Sequence, residues 1–213
     1  MSGRFDCNAA ATCYQVAPPR RLRRMKISED RMLLISRRAA LALPFVAASA
    51  AWAATAGADD VVITTTHGKI VIRLRPDWAP QHVKQIETLA RRGFYDGVPF
   101  HRVIPGFMAQ TGDPTGTGTG HSDLPDIPAE FNDTHFTRGI VGMARSQDPN
   151  SANSQFFICF ADAGFLDGQY TAFGQVTSGM DVVDKIKAGN EANNGQVTNP
   201  DKIITMRIAG APK

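Results

Sequence analysis

The 213-residue chain is 43% hydrophobic and 20% charged, which is typical of a soluble globular protein and suits one domain plus an appendage. Its formal net charge of +3 is unevenly distributed. Residues 1–56 hold nine of the 23 Lys/Arg and three of the 20 Asp/Glu, which leaves 14 basic and 17 acidic residues, a net charge of −3, in residues 57–213. This slightly acidic body gives no electrostatic support for nucleic-acid binding, so we predict none.

The front of the chain has the composition of an export signal. Arg37 and Arg38 precede an Ala/Leu-rich run over residues 39–53, and small residues with A-x-A spacing follow at residues 51–53 and 54–56. A basic region, a short apolar run and a small-residue cleavage site together predict a secretory signal. We therefore expect a protein that works outside the cytoplasm, in the periplasm.

The route of export and the fate of this segment have alternatives. The paired arginines resemble a twin-arginine signal, but they also fit the basic region of a general secretory signal. An uncleaved membrane anchor is a third interpretation, which we disfavour because a span needs about 20 strongly apolar residues. We predict an extension and signal over residues 1–56, a mature domain over 57–213 and no stable membrane association after cleavage. Met25 or Met32 is a candidate start.

After Ala58 the pattern changes to the period-two alternation of β-strands. Residues 61–64 and 70–74 are two such runs around the tight turn His67-Gly68, which predicts a β-hairpin. Arg73 and Arg75 are predicted to face solvent as a charged outer surface.

Two helices are predicted, one near each end of the body. Asp77 is expected to be the N-cap of the first, with Pro80 in its first turn, apolar residues at helical spacing and Gly93 at its end. The second is predicted over Met180–Ala188.

Between and after the helices lie short apolar runs that predict further strands. They cover residues 100–104, 139–144, 154–160, 171–176 and 202–208. Many short strands with two helices indicate a mainly β fold, a closed antiparallel barrel capped by the helices.

Other features carry less chemistry. Cys159 lies in an apolar run, and we interpret it as a buried hydrophobe because nothing indicates a neighbouring base. Cys7 and Cys13 lie in the appendage, so its removal leaves no intrachain disulfide. The run Thr115–Gly120 lacks the Lys-Ser/Thr of a phosphate loop and is interpreted as a flexible loop beside a groove. The five histidines show no metal-ligand spacing, so we predict no metal and no cofactor.

Four segments carry a family resemblance. Residues 94–110 read FYDGVPFHRVIPGFMAQ, residues 153–158 read NSQFFI, and FLDG and FGQV follow at 165–168 and 173–176. Their order and spacing resemble the cyclophilin family of peptidyl-prolyl cis/trans isomerases over about residues 60–209. The resemblance implies an eight-stranded antiparallel barrel with two capping helices and a groove on its outer face.

The resemblance also implies a site. The catalytic arginine corresponds to Arg102, and Gln110 and His101 are the polar groups placed beside it. The predicted substrate-binding residues are Phe107, Met108, Ala144, Arg145, Gln155, Phe157, Phe165, Leu166 and Tyr170. Three of them, Phe165, Tyr170 and Arg145, stand where the cyclosporin-sensitive eukaryotic members have Trp, His and usually Asn, and in this they resemble the bacterial exported branch.

Isomerising an X–Pro bond needs neither a nucleophile nor a metal, because no bond is made or broken. The barrier of about 18–20 kcal/mol comes from amide resonance, so a fixed donor that prefers the twisted amide is sufficient. We predict an isomerase acting on proline-containing polypeptides during the folding of exported proteins, and we expect a monomer. The alternative is a chaperone that binds proline peptides with little turnover.

Overall fold

The computed structural model describes residues 60–210. The predicted export segment, its cleavage site and the two cysteines Cys7 and Cys13 lie outside the described residues. Within residues 60–210, no helix is long enough and apolar enough to cross a membrane.

The body is built on one eight-stranded sheet. Its strands are β1 (Asp60–Thr65), β2 (Gly68–Leu74), β3 (Arg102–Ile104), β4 (Met108–Thr111), β5 (Ile140–Met143), β6 (Phe156–Cys159), β7 (Ala172–Ser178) and β8 (Ile203–Ile208). They are ordered β3-β4-β6-β5-β7-β2-β1-β8, and every neighbouring pair is antiparallel. The mainly β, eight-stranded antiparallel prediction is thereby confirmed.

The predicted closure into a barrel is wrong, since the sheet is a curled, open half-barrel. The outer edge of β3 is already hydrogen-bonded: the N–H of Val103 donates to the carbonyl of Gly195 (2.8 Å), and its carbonyl accepts from Gly189 (2.9 Å). An isolated bridge joins Pro99 to Lys202, just before β3 and β8. Because the returning chain occupies the edge of β3, that strand cannot pair with β8.

The predicted hairpin is confirmed. β1 and β2 pair in register from Asp60 opposite Arg73 to Thr65 opposite Gly68. The inward residues of both strands are buried, and Arg73 is exposed on the outer face, where its Nε donates to the Asp60 carboxylate (3.0 Å). Alternation of period two therefore places one face of the hairpin in the core.

Strand β4 was not predicted from the pattern. Met108, Ala109 and Thr111 are all buried, so this four-residue strand is covered on both faces and shows no alternation. Periodicity cannot detect a strand of this kind.

The first helix, α1 (Pro80–Arg91), forms where it was predicted, but Asp77 is not its cap. The N-cap position is Ala79, which makes no side-chain capping bond. The Asp77 carboxylate instead accepts hydrogen bonds from Arg75 (2.9 and 2.6 Å). The Asp77 carboxylate is therefore engaged in a local ion pair and does not cap the helix.

Glu130 caps α1 from a distant part of the chain. Its carboxylate accepts from the backbone N–H of Gln81 (3.1 Å) and of His82 (3.0 Å), two donors that the first turn of a helix leaves without intrahelical partners. An anionic side chain at this end also complements the helix dipole.

The second helix, α2, is shorter than predicted and covers Met180–Val183. After it the chain continues in turns with i→i+3 hydrogen bonds. The N–H of Lys187, which a longer helix would bond internally, donates to the carboxylate of Asp201 (2.8 Å). Two 3-10 turns, Gly164–Leu166 and Glu191–Asn193, complete the description.

Buried hydrophobic residues form two clusters. The larger fills the curl of the sheet and packs against both helices, and the smaller lies beneath the outer groove and contains Met108, Phe157 and Cys159. Cys159 is completely buried, as predicted, and burial raises the pKa of its thiol to about 12.

Candidate active site

Arg102 and Gln110 are held together by the hairpin of β3 and β4. They are directly opposite each other in the ladder, so their side chains emerge on one face, and Nη1 of Arg102 donates to Oε1 of Gln110 (3.1 Å). The arginine Nε donates to the backbone carbonyl of Asn194 (3.0 Å), and Nη2 donates to the Oδ1 of the same residue (3.0 Å). These contacts fix the plane of the guanidinium.

The guanidinium keeps donors for a ligand. An arginine side chain has five N–H groups, and three of those on Arg102 are used by Gln110 and Asn194. The other two, one each on Nη1 and Nη2, have no partner among residues 60–210. Burial lowers the pKa of Arg102, but a guanidinium remains charged at neutral pH.

Gln110 is itself oriented by Gln155. Nε2 of Gln110 donates to Oε1 of Gln155 (2.9 Å), whose own Nε2 donates to the carbonyls of Gly118 (3.1 Å) and Gly120 (2.8 Å). Because each amide donates to the next acceptor, the chain of hydrogen bonds leaves the Gln110 oxygen facing Arg102.

The loop Thr115–Gly120 is organised around the buried carboxylate of Asp113. Its oxygens accept from the N–H groups of Thr115 (2.7 Å), Gly118 (2.6 Å) and Gly120 (3.1 Å). Burial alone would raise the pKa of Asp113, but the hydroxyl of Thr115, which donates to Oδ1 (2.7 Å), together with these N–H groups outweighs burial and lowers the pKa to about 2. Gly120 is required here, since a Cβ would come within 2.1 Å of the Asp113 oxygen.

Beside Arg102 lies a cavity of about 410 Å³ with apolar side chains in its walls. Met108, Phe157 and Leu166 form its buried walls, whereas Phe165 is 66% exposed at the rim. It is lined by Arg102, Phe107, Met108, Gln110, Ala144, Arg145, Phe157, Phe165, Leu166, Gln169 and Tyr170. We call it the proline cavity, because the resemblance to cyclophilins implies that the proline of a substrate binds here.

Aromatic contacts shape its walls. The ring of Phe157 stacks on Phe136 at 5.9 Å between centroids and meets Tyr170 edge-on at 5.9 Å, while Phe107 contacts Phe165 at 5.2 Å. These are favourable geometries for ring pairs.

Gly142 makes room for this packing. A Cβ there would lie 2.6 Å from the Phe157 ring and 2.7 Å from Phe136. The glycine in β5 thus allows both rings to reach their places beneath the cavity floor.

All of the predicted site residues except Gln155 and His101 line the proline cavity. Gln155 accepts a hydrogen bond from Gln110 and lines a neighbouring cavity of about 390 Å³ together with Ala144 and Arg145. Most residues around this second cavity are polar, and we call it the polar cavity. The structure therefore brings eleven of the predicted residues into one continuous groove.

His101 lines neither of these two cavities. It is buried against the loop around Gly118, and neither ring nitrogen makes a well-formed hydrogen bond with the described residues. Burial lowers the pKa of His101, against the opposing effect of the Asp113 carboxylate, so the ring is neutral at pH 7. It lines a third cavity, of about 340 Å³, which shares Arg102 and Gln110 with the proline cavity.

Two residues of the site were missed from the sequence. Asn194 holds Arg102 through two hydrogen bonds, and Gln169 lines the proline cavity. The pair Asn194-Gly195 is a turn signature, and Asn194 has a φ of 51°, but nothing in it identifies a contact with a residue 92 positions earlier.

Comparison with known proteins agrees with this geometry. Residues 60–208 match the family described as cyclophilin type peptidyl-prolyl cis-trans isomerase/CLD. A probable peptidyl-prolyl cis-trans isomerase of Brucella suis biovar 1 is 55% identical over 192 residues, which cover 83% of this chain and 98% of that protein. A peptidyl-prolyl cis-trans isomerase-like 1 of Aspergillus oryzae is 43% identical over 159 residues, covering 71% and 96% of the two chains.

Solved structures give the same result. A cyclophilin from Hirschia baltica matches with a TM-score of 0.65 and 28% identity over 73% of this chain and 76% of that one. A cyclophilin type isomerase from Cryptosporidium parvum, crystallised in the presence of the dipeptide Ala-Pro, matches with a TM-score of 0.65 and 29% identity over 71% and 99%.

Fold and groove define a protein of the peptidyl-prolyl isomerase class. The chain belongs to the cyclophilin family of peptidyl-prolyl cis/trans isomerases.

Proposed function

We propose that Arg102 is the catalytic residue of this isomerase and that the proline cavity holds the ring of an X–Pro segment. The supporting observation is the position of the guanidinium: it lines a cavity with apolar walls, is fixed by Gln110 and Asn194, and has two N–H groups unused among the described residues. A donor fixed before the substrate arrives loses no reorganisation energy during the reaction.

The chemistry follows from the twisted amide. Rotation about the X–Pro bond breaks amide resonance, and the prolyl nitrogen regains a lone pair. A hydrogen bond from Arg102 to that nitrogen is stronger in the twisted state than in either planar state, which lowers the barrier. Met108, Phe157 and Leu166 hold the proline ring while the preceding residue rotates.

Proline-containing polypeptides are the proposed substrates. The Cryptosporidium parvum relative was crystallised in the presence of Ala-Pro, and the apolar walls of this cavity suit a prolyl ring. The neighbouring polar cavity, which Ala144 and Arg145 also line, offers room for the residues before proline. We expect no nucleic-acid partner. We also expect the protein to be a monomer, which a molecular mass measured by light scattering tests.

The activity is tested by the relaxation of an X–Pro test peptide after a solvent jump, with the purified full chain. We expect relaxation faster than the uncatalysed rate, which takes tens to hundreds of seconds at 25 °C. Uncatalysed relaxation with folded protein, together with tight peptide binding, would indicate the peptide-binding chaperone instead.

We further propose that the protein is exported and assists folding in the periplasm. Arg37, Arg38, the apolar run over residues 39–53 and the small residues after it support this. The mass of the N-terminal peptide in protein extracted from cells tests cleavage near residue 56. Replacing both arginines by Lys distinguishes the routes, since a twin-arginine signal would lose export and a general secretory signal would keep it.

A further inference from the structure

Arg145 separates the two halves of the groove. It follows β5 and lines both the proline cavity and the polar cavity. A cation in this position invites the interpretation that it attracts acidic substrates. Its contacts indicate a different task.

The guanidinium is occupied by the protein itself. Nη1 donates to the carbonyls of Ser146 (2.9 Å) and Gln147 (3.4 Å), while Nε (3.3 Å) and Nη2 (3.0 Å) both donate to the carbonyl of Gln169. Its carbon Cζ lies 4.5 Å from the centroid of the Tyr170 ring. Four of the five N–H groups are thus directed at backbone carbonyls, and one face of the guanidinium is covered by an aromatic ring.

These contacts connect two walls of the groove that follow neighbouring strands, since the N–H of Met143 donates to the carbonyl of Thr171 (3.0 Å) where β5 meets β7. One wall is the segment after β5, where Ala144 extends the ladder by donating its N–H to the carbonyl of Gln155 (2.9 Å). The other is the segment that carries Phe165 and Leu166 and ends at Tyr170, whose ring packs edge-on against Phe157. The side chain of Arg145 spans the distance between them.

The shape of arginine is needed for this connection. A planar fork can donate in several directions while its face stacks on a ring, whereas a lysine ammonium is a point charge and cannot do both. Charge alone therefore does not replace this side chain.

Building on the proposed function, we propose that Arg145 is a positioning residue that fixes the width of the passage between the two cavities. It aligns an extended peptide so that its proline reaches the proline cavity. It does not select acidic side chains, because its donors are already engaged and the polar cavity beyond it contains the carboxylate of Asp126.

The test compares Arg145→Lys, which keeps the charge, with Arg145→Met, which keeps the length without charge. Peptides with Ala, Glu or Lys before proline are titrated against the full chain, and KM and kcat are measured for each. Arg138→Met is the matched control, since Arg138 forms an ion pair with Asp184 away from both cavities (2.7 Å).

Both Arg145 variants are expected to bind all three peptides about three- to tenfold more weakly, because the groove is no longer fixed in its binding shape before the peptide arrives. KM should change more than kcat, and the melting temperature should equal that of the Arg138 control. The proposal is overturned if Lys restores wild-type binding, if the loss is confined to the Glu peptide, or if neither variant changes KM. Absence of isomerase activity in the wild type would refute the proposed function, while the binding series would still test the role of Arg145.

Discussion

Arg102 and Gln110 face each other across the antiparallel pair β3–β4, with 3.1 Å between Nη1 of the arginine and Oε1 of the glutamine. Gln110 in turn donates to Gln155, so the Arg102 guanidinium is the end of a hydrogen-bonded series that begins in the loop around Asp113. Arg102 is therefore positioned by Gln110 and, through it, by Gln155 and the loop around Asp113, which can act without contacting the substrate.

The first prediction concerns this series. Replacing Gln110 by Ala removes an acceptor from Arg102 without removing the guanidinium, so kcat/KM should fall about tenfold, the value of roughly one hydrogen bond to a charged group. The matched control is Gln175→Ala, on an exposed position of β7. Equal activity of the two variants in the solvent-jump assay would show that Arg102 does not depend on Gln110.

The second prediction concerns the cap of α1. Glu130→Ala removes the acceptor for the N–H groups of Gln81 and His82, and should lower the free energy of unfolding by about 1–2 kcal/mol. Asp77→Ala, which removes the cap that local sequence rules suggest, should cost less than Glu130→Ala because it loses only a surface ion pair. Urea denaturation measures both, and the reverse order would contradict the structure.

The third prediction concerns acid stability. The pKa of Asp113 is lowered from 3.8 to about 2, so the folded state prefers the carboxylate. Its contribution is fully present above pH 4 and is lost as the pH falls through 2, and a shift of this size corresponds to about 2 kcal/mol. Unfolding free energies at pH 6 and pH 2.5 should therefore show a smaller acid-induced loss in Asp113→Asn than in the wild type.

The control for this experiment is Asp133→Asn, at an exposed position. It should keep the full acid dependence of the wild type. If Asp113→Asn lost as much stability on acidification as this control, the loop would not be held by the carboxylate.

The sequence predicted residues that lie in local motifs, but it did not predict contacts between residues that are distant along the chain. The Arg102–Gln110 pair and the apolar residues of the groove followed from the family resemblance, since strand β4, which carries Gln110, was not predicted from the pattern. Asn194 was not predictable, since its contact with Arg102 depends on how the chain after α2 returns to the edge of β3. The same returning segment leaves the sheet open, against the expectation of a closed barrel.

Helix ends show the same limit. Asp77 satisfied the local rule for an N-cap, but its carboxylate binds Arg75. The helix is capped instead by Glu130, which lies 48 residues after His82 in the chain. Beyond the end of α2, the N–H of Lys187 likewise bonds a distant residue, Asp201 in the segment before β8. Local propensity cannot weigh partners that only the tertiary fold supplies.

The account depends above all on Arg102 acting in the twisted state and the proline cavity acting in binding. The most direct test is to measure, by NMR exchange on a proline peptide, both the dissociation constant and the isomerisation rate of the bound peptide in wild type, Arg102→Lys and Arg102→Ala. We predict that Arg102→Ala lowers the bound rate about 10²- to 10³-fold while peptide affinity changes about threefold or less, with Arg102→Lys between the two. A parallel loss of affinity and rate, or a wild-type rate in Arg102→Ala, would contradict the account.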